Sequence, residues 1–215
     1  MRTGEARHRR RRVPTSIWGC QPQGTCAFFD LAGLWACTLH APHRMEHELM
    51  AQDAADRAYD AGKMNEKTYY GCGQCTLAAL QEAFDRRDDA VFQAATGLAG
   101  GGGLACDGSC GAYAGAILFI GQLLGRERDN FADPEGVRLR TAEIVRDLRQ
   151  RFIDRYGSVI CRDIQTKVMG RPYYLADPED FERFHDAGAH DIYCPEVVAL
   201  GARWAAEIVT ENELI

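Results

Sequence analysis

The sequence predicts an all-α fold, an irregular bundle of about seven helices around a buried central helix. Three observations lead there. Apolar residues recur at helical spacing in segment after segment, and nowhere is there a convincing period of two. Helix starts and stops are written plainly, as Asp-Pro-Glu at Asp133 and Asp177 and as glycines behind the last apolar position. The stretch Gly111–Leu124 is apolar on most faces, which requires neighbours all around it.

In chain order, Met45–Ala61 carries Leu49, Met50, Ala54, Ala58 and Tyr59, and Gly62 is read as its stop. Cys75 is read in or just before the first turn of a helix holding Leu77, Leu80, Ala83 and Phe84. Asp88 or Asp89 can cap a helix through Val91, Phe92, Ala95 and Leu98, which feeds the glycine run Gly100–Gly103. The central helix follows Cys110. Asp133-Pro134-Glu135 opens a helix whose stripe runs Val137, Thr141, Ile144, Leu148, Phe152 and Tyr156, and Gly157 stops it. Ser158 can cap a shorter helix with Cys161, Ile164 and Val168, up to Gly170. Asp177-Pro178-Glu179 opens one through Phe181 and Phe184. With Pro195 at the first helical position, Cys194 is read as the cap of the last helix, which holds Val197, Leu200, Trp204, Ile208 and Val209.

The 215 residues suffice for one domain plus an arm, with a formal net charge of -6. The charge is uneven: residues 1–44 sum to +5 and residues 45–215 to -11. An acidic body argues against nucleic acid as a partner, and no apolar window has the length of a membrane span. The basic, aperiodic residues 1–44 are expected to be a disordered arm or an upstream extension of a chain that starts at Met45. A poor lipoprotein-like cleavage site at Leu34-Trp35-Ala36-Cys37 is the export alternative to a cytoplasmic location. No Rossmann fingerprint, P-loop or nucleophile–His–Asp set can be assembled. His185 or His190, in a polar stretch near Cys194, could serve as a metal ligand or as a proton donor to a leaving thiolate, but an exposed loop histidine without a role is the preferred reading.

The chemistry lies in the cysteines. Nine are present, three in the arm (Cys20, Cys26, Cys37) and six in the body (Cys72, Cys75, Cys106, Cys110, Cys161, Cys194). Cys75, Cys110, Cys161 and Cys194 each fall at a helix start, where unpaired N–H groups and the helix dipole favour a thiolate. Cys110 in particular is expected to be more acidic than a free cysteine. Four such ends aimed inward suit a shared polyanion, which four thiolates on an iron–sulfur cluster are. Low-pKa thiols also suit disulfide exchange, with Cys72/Cys75 and Cys106/Cys110 as the short-range pairs. A structural zinc site is the third alternative.

Cys75 entering a Leu/Ala-rich helix, the glycine run, Cys110-Gly-Ala-Tyr-Ala-Gly115, then YGSVICRDI with Cys161 and CPEVV with Cys194 together resemble the C_GCAxxG_C_C family. The resemblance covers roughly Met45 to Thr210. It implies a small helical protein with redox-active or cluster-ligating thiols. The related C-terminal region of split-Soret cytochromes c points to an iron–sulfur site. Cys72 and Cys106 look like additions to a four-cysteine pattern, serving as resolving thiols or spare ligands. The function expected is electron or thiol–disulfide transfer with an unidentified redox partner, in a chain that could form homo-oligomers.

Overall fold

The computed structural model describes residues 41–215, with side chains from residue 49 onward. Eight α-helices follow one another: α1 (Ala41–Tyr69), α2 (Cys72–Ala83), α3 (Asp89–Ala94), α4 (Gly111–Leu124), α5 (Val137–Tyr156), α6 (Cys161–Met169), α7 (Pro178–Asp186) and α8 (Cys194–Glu211). A 3₁₀ stretch, Ala95–Gly101, extends α3, and a single π-turn, Ala189–Tyr193, leads into α8. Among the described residues there is no strand, only an isolated antiparallel bridge between Ser109 and Ile160. No helix among them is long and apolar enough to cross a membrane. The arm expected over 1–44, with its three cysteines, lies outside the described residues except for 41–44, which belong to α1.

The all-α expectation holds, and α4 is the central helix. Ala112, Ala116, Phe119 and Ile120 are fully buried, with α2, α5 and α8 packed around them. Phe119 stacks on Phe84 at 5.7 Å, and Phe152 of α5 meets Tyr113 edge-on at 5.3 Å and Trp204 at 5.1 Å. A smaller apolar cluster of Cys106, Cys161, Tyr173, Leu175, Phe184 and Ala189 lies beneath the loops and α7.

Several boundaries differ from the sequence reading, each for a local reason. α1 does not stop at Gly62 but runs on to Tyr69. Gly62 faces α8, where its missing side chain lets Val198 and Ala202 close in, so the glycine serves packing instead of termination. α2 opens at Cys72, after Gly71 in the left-handed region (φ 87°), so Cys72 leads the helix and Cys75 stands one turn in. Asp133 caps α5 from outside it: its carboxylate accepts from Val137 N at 2.8 Å and Arg138 N at 3.0 Å, while Gly136 takes the cap position. Ser158 Oγ accepts from Ile160 N at 3.0 Å, just short of α6, which opens at Cys161. Cys194 is the first residue of α8 and not its cap, because the π-turn makes Tyr193 the cap. Asp88 and Asp177 cap α3 and α7 as read.

α2 and α4 cross with backbone against backbone. A Cβ on Gly115 would collide with the Gly73 carbonyl oxygen, and one on Gly111 would collide with Cys72 Sγ. The Gly111/Gly115 pair therefore holds the first turns of these two helices together. Gly115→Ala is expected to cost about 1–3 kcal/mol as overpacking. At roughly 2–4 °C per kcal/mol for a chain of this size, that is a visible drop in a circular-dichroism melt. Gly121→Ala, on the same helix with open space around it, should leave the melting temperature unchanged or slightly higher. Equal melts for the two variants would remove the crossing from the account.

Candidate functional site

Four helix first turns converge on one cavity of about 110 Å³. Cys72 opens α2, Cys110 stands at the cap of α4, Cys161 opens α6 and Cys194 opens α8, and all four line it. Glu66, Tyr70 and His190 also line it, with an apolar wall that includes Leu104, Val168, Leu175 and Phe181. Cys75, read from sequence as a member of the set, does not reach the cavity. Its thiol donates to the Tyr70 carbonyl at 2.9 Å and lies beside Glu66. Among the described residues, no three His, Cys, Asp or Glu side chains close on a single point as ligands of one metal ion.

The glycine run places the sixth cysteine. Gly100 to Gly103 all take positive φ, 57°, 72°, 90° and 58°, which folds the loop back on itself. Cys106 N then donates to Gly100 O at 2.8 Å, and Cys106 is held at φ 62°, a left-handed conformation that a side chain rarely adopts. Arg162 N donates to Cys106 O at 2.9 Å and Cys161 N to Gly108 O at 3.0 Å, lacing the loop to the start of α6. Cys106 thus lies against Cys161, and Gln165 Nε2 donates to both sulfurs at 3.5 Å. Gln165 is fixed in turn by Tyr173 N, which donates to its Oε1 at 2.8 Å. The sequence paired Cys106 with Cys110; the fold pairs it with Cys161.

Burial dominates the thiol chemistry. Cys110 is pushed up to about 11 by loss of water, despite the N–H groups of Ala112 and Tyr113 that favour its thiolate. The expected acidic Cys110 is therefore corrected: the helix terminus acts in the expected direction, but the cost of burying the charge is larger. Cys72 is raised by burial and by the neighbouring Cys110 sulfur, with Gly100 and Gly111 backbone groups opposing. Cys194 is raised by burial, then by Glu66, Cys72 and Cys110. Cys106 and Cys161 behave as a pair sharing a proton. The hydrogen bond between them lowers Cys106, to about 6, and raises Cys161.

The sequence reading missed Glu66 and favoured the wrong environment for His190. Glu66 is 2% exposed, its Oε2 has no hydrogen-bond partner, and burial raises its carboxyl to about 7. Continuing α1 past Gly62 would have revealed it, since Ala55, Ala58, Gly62 and Glu66 fall on one face. His190 was read as exposed; it is buried, its ring tilted against Tyr70 at 4.2 Å and its Nδ1 within 3.4 Å of His185 Nδ1. Its closeness to Cys194 in the sequence is the signal that made it a candidate at all.

The family described as "Putative redox-active protein (C_GCAxxG_C_C)" matches residues 70–208, more than half of the chain. The chain belongs to the C_GCAxxG_C_C family. No curated protein and no solved structure matches it. The family span takes in all six described cysteines, from α2 to α8, and leaves Glu66 just ahead of it.

Glu66 gives a pH dependence with a definite sign. Its folded pKa of about 7 lies above the unfolded value of 4.5, so the folded state holds the proton more tightly. The metal-free protein should lose stability as pH rises from 4.5 to 7, by at most about 3 kcal/mol, and level off beyond. Glu66→Gln should flatten that slope in urea titrations of the metal-free protein. An unchanged slope in the variant would show that Glu66 is not the group responsible.

Proposed function

We propose that the protein is an electron carrier whose iron–sulfur cluster is held by Cys72, Cys110, Cys161 and Cys194. The observation that carries this reading is the convergence of these four sulfurs, each from the first turn of a different helix, on one cavity. Cys72 replaces Cys75 of the sequence-derived set because it alone of the two lines the cavity. The donors suit the group: four thiols that disfavour one another's ionisation await a positive centre, and the unpartnered Glu66 carboxylate oxygen adds to that demand. Sulfurs spaced around a cavity suit a polynuclear group better than the tight tetrahedron of a lone zinc ion. When bound, a cluster of this kind supplies reversible one-electron transfer.

The chain's own contribution is to tune and shelter. Backbone N–H groups at Gly100 and Gly111 favour a charged Cys72 sulfur, and those of Ala112 and Tyr113 do the same for Cys110. Such donors delocalise negative charge and raise a reduction potential. Leu104, Val168, Leu175 and Phe181 keep the cavity wall apolar. A redox protein is the partner this reading requires.

Protein purified without oxygen should be brown and contain iron and acid-labile sulfide in matching amounts. Ser in place of Cys72, Cys110, Cys161 or Cys194 should bleach it, while Cys75→Ser should keep most of the colour. A colourless, iron-free protein whose thiols oxidise in pairs would move the reading to metal-free thiol–disulfide exchange.

A further inference from the structure

Cys106 is the one described cysteine whose sulfur has a cysteine partner and yet does not line the cavity. Its sulfur and that of Cys161 share the Gln165 amide at 3.5 Å each, which sets the two side chains side by side. Three backbone hydrogen bonds fix the two segments around them: Cys110 N to Val159 O at 2.8 Å, Cys161 N to Gly108 O at 3.0 Å and Arg162 N to Cys106 O at 2.9 Å. The left-handed backbone at Cys106 is the local cost of this placement. The pairs close in sequence are arranged otherwise. Cys75 is turned to the Tyr70 carbonyl, and Cys110 lies under the N–H groups of its own helix.

We propose that Cys106 and Cys161 close a reversible disulfide, and that the bridge withdraws Cys161 from the four-thiol set. The second half rests on the cluster reading; the first does not. The oxidant is a small hydroperoxide, of a size that can enter the cavity Cys161 lines. One sulfur of the pair attacks the peroxide, the O–O bond breaks, and a sulfenic acid forms with release of water or alcohol. The other sulfur displaces the hydroxyl group as a second water. Two thiols lose two electrons to the peroxide, and the two thiol protons leave in the products. Cys106 is thereby a stored thiol that converts a cofactor ligand into half of a disulfide. An external dithiol reverses it.

The test uses the full chain, metal-free and reduced under nitrogen, treated with one molar equivalent of hydrogen peroxide. Peptide mapping should find Cys106–Cys161 as the main cross-link. The bridged protein, offered ferrous iron and sulfide, should take up at least about tenfold less of each than the reduced protein, and dithiothreitol should restore uptake. Cys106→Ser, checked for native circular dichroism, should form no such bridge and load after peroxide as the reduced wild type does. Cross-links mainly at Cys72–Cys75 or Cys106–Cys110 would overturn the pairing. A bridged protein that loads normally would overturn the withdrawal of Cys161. If the reduced wild type takes up no iron, the cluster reading fails with the withdrawal that depends on it, while the mapping still decides the pairing.

Discussion

Two helices that meet across glycines set the rest of this molecule. At the α2–α4 crossing, Gly73 lies against Gly115, and Gly111 lies against Cys72. The contact depends on the absence of Cβ atoms and so tolerates almost no substitution. It brings the first turns of both helices, and the sulfurs of Cys72 and Cys110, to one place. α8 packs across both helices and contributes Cys194, and α1, lying along α8, delivers Glu66. The site is thus a by-product of how closely the core can close.

The electrostatics of the site is a contest between two effects of known size. A helix N-terminus favours a nearby negative charge by about 0.3–1 kcal/mol, less than one pKa unit. Burial can shift a group by several units the other way. At Cys110 both act on one sulfur, and the result, about 11, shows which is larger. Gathering four helix ends into a dry space does not make four thiolates. It makes four thiols whose burial holds the proton on sulfur more tightly than in water. Cys106 escapes because its partner is another thiol, which donates a hydrogen bond and takes the penalty on itself.

Much of this was legible in the sequence, and the failures have a common cause. Helix existence was clear from apolar spacing; the cap at Asp177 was placed correctly, and the α3 cap fell on Asp88, one of the two candidates, because a cap is a local hydrogen bond. Gly62 misled because a glycine that ends a helix and one that admits a neighbouring helix look alike in one dimension. That error hid the last two turns of α1 and, with them, Glu66. The exchange of Cys75 for Cys72 came from the same kind of boundary, since three residues turn a side chain most of the way around a helix. The Cys106–Cys161 contact could not be read from spacing. It is made by backbone hydrogen bonds between a glycine loop and a distant helix start, where proximity in sequence favours Cys110 instead.

The four cavity cysteines are spread from the start of α2 to the start of α8, so the cavity exists only while distant parts of the chain are held together. α8 supplies both the fourth sulfur and the apolar floor of Val197 and Val198, and its Ala202, Ala205 and Ile208 are fully buried in the same core. A change that loosens α8 would therefore open the core and the cavity together, so the site cannot be lost without a cost to the fold that holds it.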